Sequence, residues 1–151
     1  MSNILEIKDK VQRWLMEDKN TGQVSLLPDG YRIINGNVPV HITFEERDGE
    51  DPYVLIRITA LTVWDAPMTP ESQAWLLEHN NDYIFGRFAI HTAHNDKLDR
   101  DVTAVLVEHL ILGDTVDPDE FLNALYTVAI AGDSFDDEFI AQFGGEHYID
   151  D

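Results

Sequence analysis

The sequence predicts an α+β fold in which one antiparallel sheet is covered by helices. Apolar residues recur three and four positions apart in segments near both ends of the chain, which is typical of amphipathic helices. Between these segments, apolar and polar residues alternate in runs separated by turn sequences, which favours an antiparallel meander. The expected order is helix, three strands, helix, two strands and helix, within a single domain over residues 1–151.

The first helix is predicted to follow Ser2 or Asn3, because either side chain can cap free backbone amides. Its apolar positions have helical spacing and are Ile4, Ile7, Val11 and Trp14 or Leu15. The helix is expected to end near Asp18. The polar residues from Lys19 to Gly30 include glycine and proline, and they predict a loop.

A three-stranded meander follows this loop. Its strands are predicted over Tyr31–Ile34, Val38–Arg47 and Tyr53–Val63. Asn35-Gly36-Asn37 favours a hairpin between the first two strands, because Asn and Gly readily adopt positive φ. Asp48-Gly49-Glu50-Asp51 is the second predicted turn.

The second helix has a start signal in its first residues. Thr69 can cap the free amides, Pro70 is tolerated at the first helical position, and Glu71 complements the positive end of the helix dipole. The helix is expected to run to about Asn80.

Two further strands are predicted over Tyr83–Thr92 and Asp101–Leu112, joined by the polar turn His94-Asn95-Asp96-Lys97. The second of them is β-branched and almost wholly apolar, which is typical of a central strand.

The last helix is predicted from Asp117-Pro118-Asp119-Glu120, which supplies an N-cap, a first-turn proline and a capping-box acid. Its apolar stripe consists of Phe121, Leu125, Val128, Gly132, Phe135, Phe139 and Phe143, and Gly144-Gly145 ends it. Gly132-Asp133-Ser134 offers a second helix start, so a split there is the alternative to one continuous or kinked helix.

The negative charge of the chain is unevenly distributed. The formal net charge is −19, and residues 101–151 contain thirteen Asp and Glu but no Lys or Arg. Such a field repels phosphate backbones and anionic lipids, and it attracts cations and basic segments. We therefore expect a polypeptide or protein partner, of basic character, and neither nucleic-acid nor membrane binding. The alternative is that the acids only keep the protein soluble.

Motifs for catalysis or for cofactor and metal binding are missing from the sequence. It has no cysteine, Gly-rich phosphate loop, Gly-x-Ser-x-Gly elbow or His-Glu-x-x-His motif. We therefore predict a non-enzymatic protein without a cofactor or metal site. The polar start does not resemble a signal peptide, and no apolar run approaches the roughly 20 residues that span a bilayer. A soluble cytoplasmic protein is expected.

Several short motifs together resemble the YbjN proteins, most clearly from Thr69 to Gly145. They are Tyr-Ile-Phe-Gly-Arg-Phe-Ala-Ile at 83–90, the apolar strand near 102–112, Asp117-Pro118 before the last helix, and Asp136-Asp137-Glu138 with Phe143-Gly144-Gly145 at its end. YbjN proteins are similar in fold to the chaperones of type III secretion. The resemblance implies a non-enzymatic, often dimeric domain that binds peptides or proteins as a chaperone or regulatory adaptor.

Four side chains in or near the predicted strands and second helix are candidates for partner binding. Arg57 and Arg87 lie in apolar strands, where a cation needs a carboxylate partner. They are interpreted as anchors for a carboxylate or the backbone of a partner. The alternatives are that they form ion pairs with an acid of the last helix, or that they lie on a strand face open to solvent. Trp64 and Trp75 are interpreted either as interface anchors or as core residues.

Asp136, Asp137 and Glu138 are candidate contacts for a basic partner. Together with Asp133 they could also supply oxygen ligands for calcium, although the spacing is not that of an EF-hand. A calcium-responsive acidic regulator is therefore the alternative function. His91 and His94 flank a strand end and favour two exposed polar residues over a metal site.

The predicted sheet offers apolar side chains to both of its faces. Val54, Ile56 and Ile58 alternate with Leu55 and, further along the same strand, Leu61. If helices cover one face of the sheet, the apolar side chains of the other face remain in water. Burial of that face between two copies would remove them from water, so we predict a homodimer.

Overall fold

The fold is described from a computed structural model, over residues 4–36, 38–82 and 85–148. Its helices are α1 (Ile4–Glu17), α2 (Pro70–His79) and α3 (Pro118–Phe143), with a short 3-10 turn over Asn80–Asp82. Its strands are β1 (Val24–Leu27), β2 (Gly30–Asn35), β3 (Val38–Arg47), β4 (Tyr53–Trp64), β5 (Arg87–Asn95), β6 (Arg100–Leu112) and β7 (Glu146–His147).

The seven strands form one antiparallel sheet in the order β1-β2-β3-β4-β6-β5, and β7 pairs with the end of β4. This arrangement confirms the predicted α+β class with one antiparallel sheet. Because β6 lies between β4 and β5, the strand predicted to be central is central, and its apolar sequence is explained.

The core lies between the three helices and one face of the sheet. Val54, Ile56 and Ile58 of β4 are fully buried on this face, as are Phe121, Phe135 and Phe139 of α3. Helix α1 contributes Ile7, Val11 and Leu15, which share one side of the helix. The indole of Trp75 packs among aromatic rings at centroid distances of 5.7–6.2 Å; these rings belong to Phe88, Phe135, Phe139 and Phe143.

Local hydrogen bonds fix the starts of α2 and α3. The Thr69 hydroxyl accepts from the Ser72 amide at 3.1 Å, and the Ser72 hydroxyl accepts from the Thr69 amide at 2.9 Å, which forms a capping box. The Asp117 carboxylate accepts from the Glu120 amide at 2.8 Å. Both predicted starts are therefore confirmed, whereas the predicted cap of α1 at Ser2 or Asn3 lies outside the described residues.

Helix α3 continues without a break through the predicted split. The Ser134 hydroxyl donates to the Ile130 carbonyl at 2.8 Å, within the helix, and so does not cap a new one. A Cβ at Gly132 would lie 2.9 Å from the Thr62 Cγ2 and 3.0 Å from the Ala60 Cβ. Glycine therefore allows the close approach of α3 to β4.

Three strand assignments differ from the sequence prediction. The predicted loop from Lys19 to Gly30 contains β1, whose four residues pair with β2 in the register Val24↔Ile33. Strand β5 begins at Arg87 and extends to Asn95, three residues beyond the predicted end. Residues 83 and 84, the predicted start, lie outside the described part. Strand β7 was not predicted. Short strands have too little alternation to be recognised, and they form here because a neighbouring strand supplies the partner.

Candidate functional site

The sheet has a second face that the three helices leave uncovered, and we call it the open face. Directly opposed residues of neighbouring strands share a face, so the register places Arg57, Thr59 and Leu61 on it, opposite Leu110, Glu108 and Leu106. Arg87, Ala89 and His91 of β5 continue the same face. Along β4 these side chains alternate with Ile56, Ile58 and Ala60, which are fully buried in the core. On β5 the opposite face is buried at Phe88 but not at Ile90, which is 53% exposed.

A line of ion pairs crosses the middle of the open face. The Glu108 carboxylate accepts from Arg57 Nη1 at 2.7 Å and from Arg87 Nη2 at 3.0 Å, and Arg57 Nε donates to Glu45 at 2.8 Å. The hydrogen bond from Arg57 holds the pKa of Glu45 below its usual value. Arg57 and Arg87 are thus paired with acids of neighbouring strands, so the alternative of a solvent-accessible strand face fits the structure and the alternative of an ion pair with the last helix does not.

An aromatic pair marks one end of the open face. The rings of Trp64 and Tyr148 meet edge to face with centroids 6.1 Å apart. They border a cavity of about 160 Å³, which we call the aromatic cavity. Its wall also includes Leu61, Ala93, Ala104 and Leu106. The side chains are mostly apolar, so the cavity suits an apolar or aromatic group.

The other tryptophan candidate is not at this surface. Trp75 is 8% exposed and belongs to the aromatic part of the core, as the packing alternative expects. Its ring also stacks on His79 at a centroid distance of 4.0 Å.

The acidic residues of α3 meet the C-terminal segment, which we define as residues 146–148. His147 Nδ1 lies 3.1 Å from an Asp136 carboxylate oxygen, and its Nε2 lies 3.0 Å from Asp137. Burial raises the pKa of Asp136, while hydrogen bonds from the Asp137 amide and from His147 act in the opposite direction. The imidazole therefore joins the segment to a carboxylate that is almost completely buried.

A cavity of about 540 Å³, the acidic cavity, opens beside this histidine. Its walls include Asp133, Asp136, Asp137, Arg32, His147 and Tyr148. Potential ligand atoms of Asp136, Asp137 and His147 lie within 4.8 Å of one another, so these residues could hold a cation. Glu138 is exposed and does not line the cavity, so the structure does not bring together the four acids of the calcium hypothesis.

His147 and Tyr148 are the site residues that the sequence did not reveal. They follow Gly144-Gly145, and only folding brings them to α3 and β4. The two glycines have φ values of 101° and 93°, a turn that favours glycine.

The two histidines considered for a metal site, His91 and His94, both line the aromatic cavity. His94 also lies 3.5–3.8 Å from Asp96, Asp99 and Asp101. Both side chains are exposed, as expected.

Comparison with known proteins identifies the family. A family model, TY-Chap1, described as T3SS (YopN, CesT) and YbjN peptide-binding chaperone 1, matches residues 23–151. The chain belongs to the TY-Chap1 family. The predicted relation to YbjN proteins and type III secretion chaperones is confirmed. TY-Chap1 is a family of peptide-binding chaperones and not an enzyme family.

A solved structure shares the fold of this TY-Chap1 member. It is a crystal structure of an uncharacterized protein from Methanothermobacter thermautotrophicus, with a TM-score of 0.50 and 17% sequence identity. The match covers 91% of this chain and 99% of the other, and at this identity it concerns the fold alone. No curated protein matches the sequence significantly. Among the described helices, none has the length and apolar character needed to cross a membrane.

Proposed function

We propose that this chain is a non-enzymatic chaperone or adaptor that binds an extended polypeptide segment along the open face of its sheet. The observation that carries the proposal is the open face itself, which combines an apolar aromatic cavity with paired charges on a rigid sheet. Membership of a peptide-binding family supports a polypeptide as the ligand.

The contacts available on this face suit a peptide better than a small molecule. Apolar side chains of the peptide would enter the aromatic cavity beside Trp64, and the exposed Arg87 would contact backbone carbonyls or a carboxylate. The acids of α3 lie beyond the cavity, on the other side of Tyr148, which lines both cavities. A basic residue of the same peptide would be attracted there.

Titration calorimetry with an unstructured peptide that contains both basic and aromatic residues tests this function. We expect one binding site at low salt and an affinity that falls as salt rises, because opposite charges are screened. A peptide of equal length in which the apolar residues are replaced by serine is the control. No measurable binding of either peptide at low salt, or equal binding of both, would reject the proposal.

We further propose that two copies associate through the other end of the open face. Tyr53 and Leu112 are 41% and 44% exposed there, and Leu55 is paired with Leu112 in the sheet. Burial of these side chains between two copies would remove a connected apolar surface from water. Sedimentation at tens of micromolar should then show a dimer that Leu112→Asp dissociates. A monomeric wild-type chain would contradict this.

A further inference from the structure

The C-terminal segment pairs with a part of the β4 edge. No other described strand pairs with that part of the edge. Strand β3 pairs with β4 up to Val40↔Ala60, and β7 takes over at Val63↔His147 and Trp64↔Glu146. The Tyr148 amide also donates to the Thr62 carbonyl at 2.9 Å. Three of the described residues therefore add a strand to the sheet, and any extended chain can make the same backbone hydrogen bonds.

The side chains that hold this segment are accessible to solvent. The His147 side chain is 54% exposed and pairs with Asp136 and Asp137, and the Tyr148 ring meets Trp64 edge to face. Of the two carboxylates, that of Asp137 is 79% exposed, and ion pairs at such exposed sites are weak because water screens them. Such a short strand with such contacts opens locally far more easily than the core strands.

Empty space lies on both sides of the segment. His147 and Tyr148 line the acidic cavity of about 540 Å³ and also a neighbouring cavity of about 460 Å³ beside Trp64, Asn95 and Leu98. Displacement of the segment would join these spaces into one groove along the β4 edge. A peptide strand could then occupy the part of the β4 edge that residues 146–148 now cover.

The charges around His147 specify what could replace it. Asp133, Asp136 and Asp137 face the acidic cavity, and the buried Asp136 carboxylate needs a cation or hydrogen-bond donor beside it. Arg32 lines the same cavity, so the site is not uniformly negative, and a cation would have to occupy the position beside α3. The next residue along the strand, Tyr148, presents its ring to Trp64.

We propose that residues 146–148 are an internal competitor for the bound polypeptide, and that the β4 edge accepts a partner strand in which a lysine or arginine is followed directly by an aromatic residue. The basic side chain takes the place of His147 between Asp136 and Asp137, and the aromatic ring takes the place of Tyr148 against Trp64. This proposal rests on the proposed function and names the chemistry of the peptide.

The test uses the full chain and a fluorescent peptide that copies residues 142–148 with His147→Lys. Fluorescence anisotropy should show saturable binding to the wild-type chain. The variant His147→Ala should bind the peptide about threefold more tightly, because the competing segment is weakened. The double variant Asp136→Asn with Asp137→Asn should bind it about tenfold more weakly, because the peptide loses its ionic partners.

The double variant Asp48→Asn with Asp51→Asn is the charge-matched control for the double aspartate variant, since both are exposed turn acids that line none of the cavities described above. Its affinity for the peptide should equal that of the wild type. As a second measurement, amide hydrogen exchange should become faster in residues 146–148 when the peptide binds and slower in the peptide.

Three outcomes separate this inference from the proposed function. If basic aromatic peptides bind but His147→Ala and the double aspartate variant leave the affinity unchanged or shift it in the same direction, the displacement model is wrong and the function stands. Protection of residues 146–148 in the complex would lead to the same conclusion. If no peptide binds to either the wild type or His147→Ala, both proposals are wrong.

Discussion

At the residue scale, burial of the Asp136 carboxylate costs desolvation energy, while the same carboxylate provides a hydrogen-bond partner for His147. Its side chain is 8% exposed, and desolvation raises the pKa above the ordinary value of 3.8. It also accepts hydrogen bonds from the Asp137 amide and from His147, and these bonds offset part of the desolvation cost of the carboxylate. The residue is a motif position in the sequence, but its partner His147 comes from beyond the helix.

The raised pKa of Asp136 gives a pH dependence of known sign. Between 3.8 and the higher folded value, the folded chain keeps a proton that the unfolded chain has released, so the contribution of this group to stability falls as pH rises through that window. Asp136→Asn removes the titrating carboxyl group and, with it, this loss of stability as pH rises. The difference in melting temperature between the variant and the wild type should therefore move in favour of the variant as pH rises from 3.8 through the raised pKa of the folded chain.

Asp48→Asn, at an exposed turn position, is the charge-matched control for this comparison. Its difference from the wild type should change less over the same pH range. A wild type that gains stability relative to Asp136→Asn as pH rises would show that the hydrogen bonds to the carboxylate outweigh its desolvation.

At the scale of elements, the contact between α3 and β4 determines how closely the long helix approaches the sheet. Gly132 lies where a side chain would meet Thr62 and Ala60. Helix propensity alone favours alanine over glycine by roughly 1 kcal/mol, whereas overpacking a core costs about 1–3 kcal/mol. We expect the overpacking cost to exceed the gain in helix propensity, because Thr62 and Ala60 belong to the same rigid strand and cannot move apart.

Gly132→Ala should accordingly lower the free energy of unfolding by about 1 kcal/mol, measured by urea denaturation. Ser134→Ala, at an exposed position two residues later, should change it by less than about 0.5 kcal/mol. A more stable Gly132→Ala variant would mean that the helix can shift away from β4 without loss of packing.

Much of this element structure follows from local signals in the sequence. The alternation in residues 38–47 predicts β3 with its observed bounds, and the Thr69 and Asp117 motifs predict the starts of α2 and α3. Only part of the candidate site can be predicted from the sequence. Arg57 and Arg87 are recognisable as cations in apolar strands, but Glu108 becomes their partner only through strand pairing. The sequence places Asp136 on a solvated helix face, whereas it is buried in the structure and contacts His147 after the chain turns at the end of α3. Local periodicity carries no information on such pairing.

At the scale of the whole molecule, the net charge of −19 affects stability and binding in opposite directions. Like charges in the folded chain repel, so added salt should stabilise the fold, while association with a basic partner should weaken through a slower association rate. These expectations follow from charge alone and apply whichever surface binds the partner.

The triple variant Asp136→Asn, Asp137→Asn, Glu138→Gln tests both effects. We expect a melting temperature equal to or higher than that of the wild type, since repulsion falls and a buried charge is removed. Capture of a basic peptide should weaken at the same time. Unchanged peptide affinity would mean that the acids serve as solubilising surface, and unfolding would mean that they support a structural network.

The central claim is that polypeptide segments bind on the open face beside the aromatic cavity, and a single pair of variants tests it most directly. Ala93 is exposed and lines this cavity, whereas Ala74 is exposed on α2 and does not line it. Glutamine at either position adds equal bulk without changing the net charge. We predict that Ala93→Gln weakens the affinity for a basic aromatic peptide by about tenfold, whereas Ala74→Gln leaves it unchanged. Equal affinities of the two variants would contradict the account.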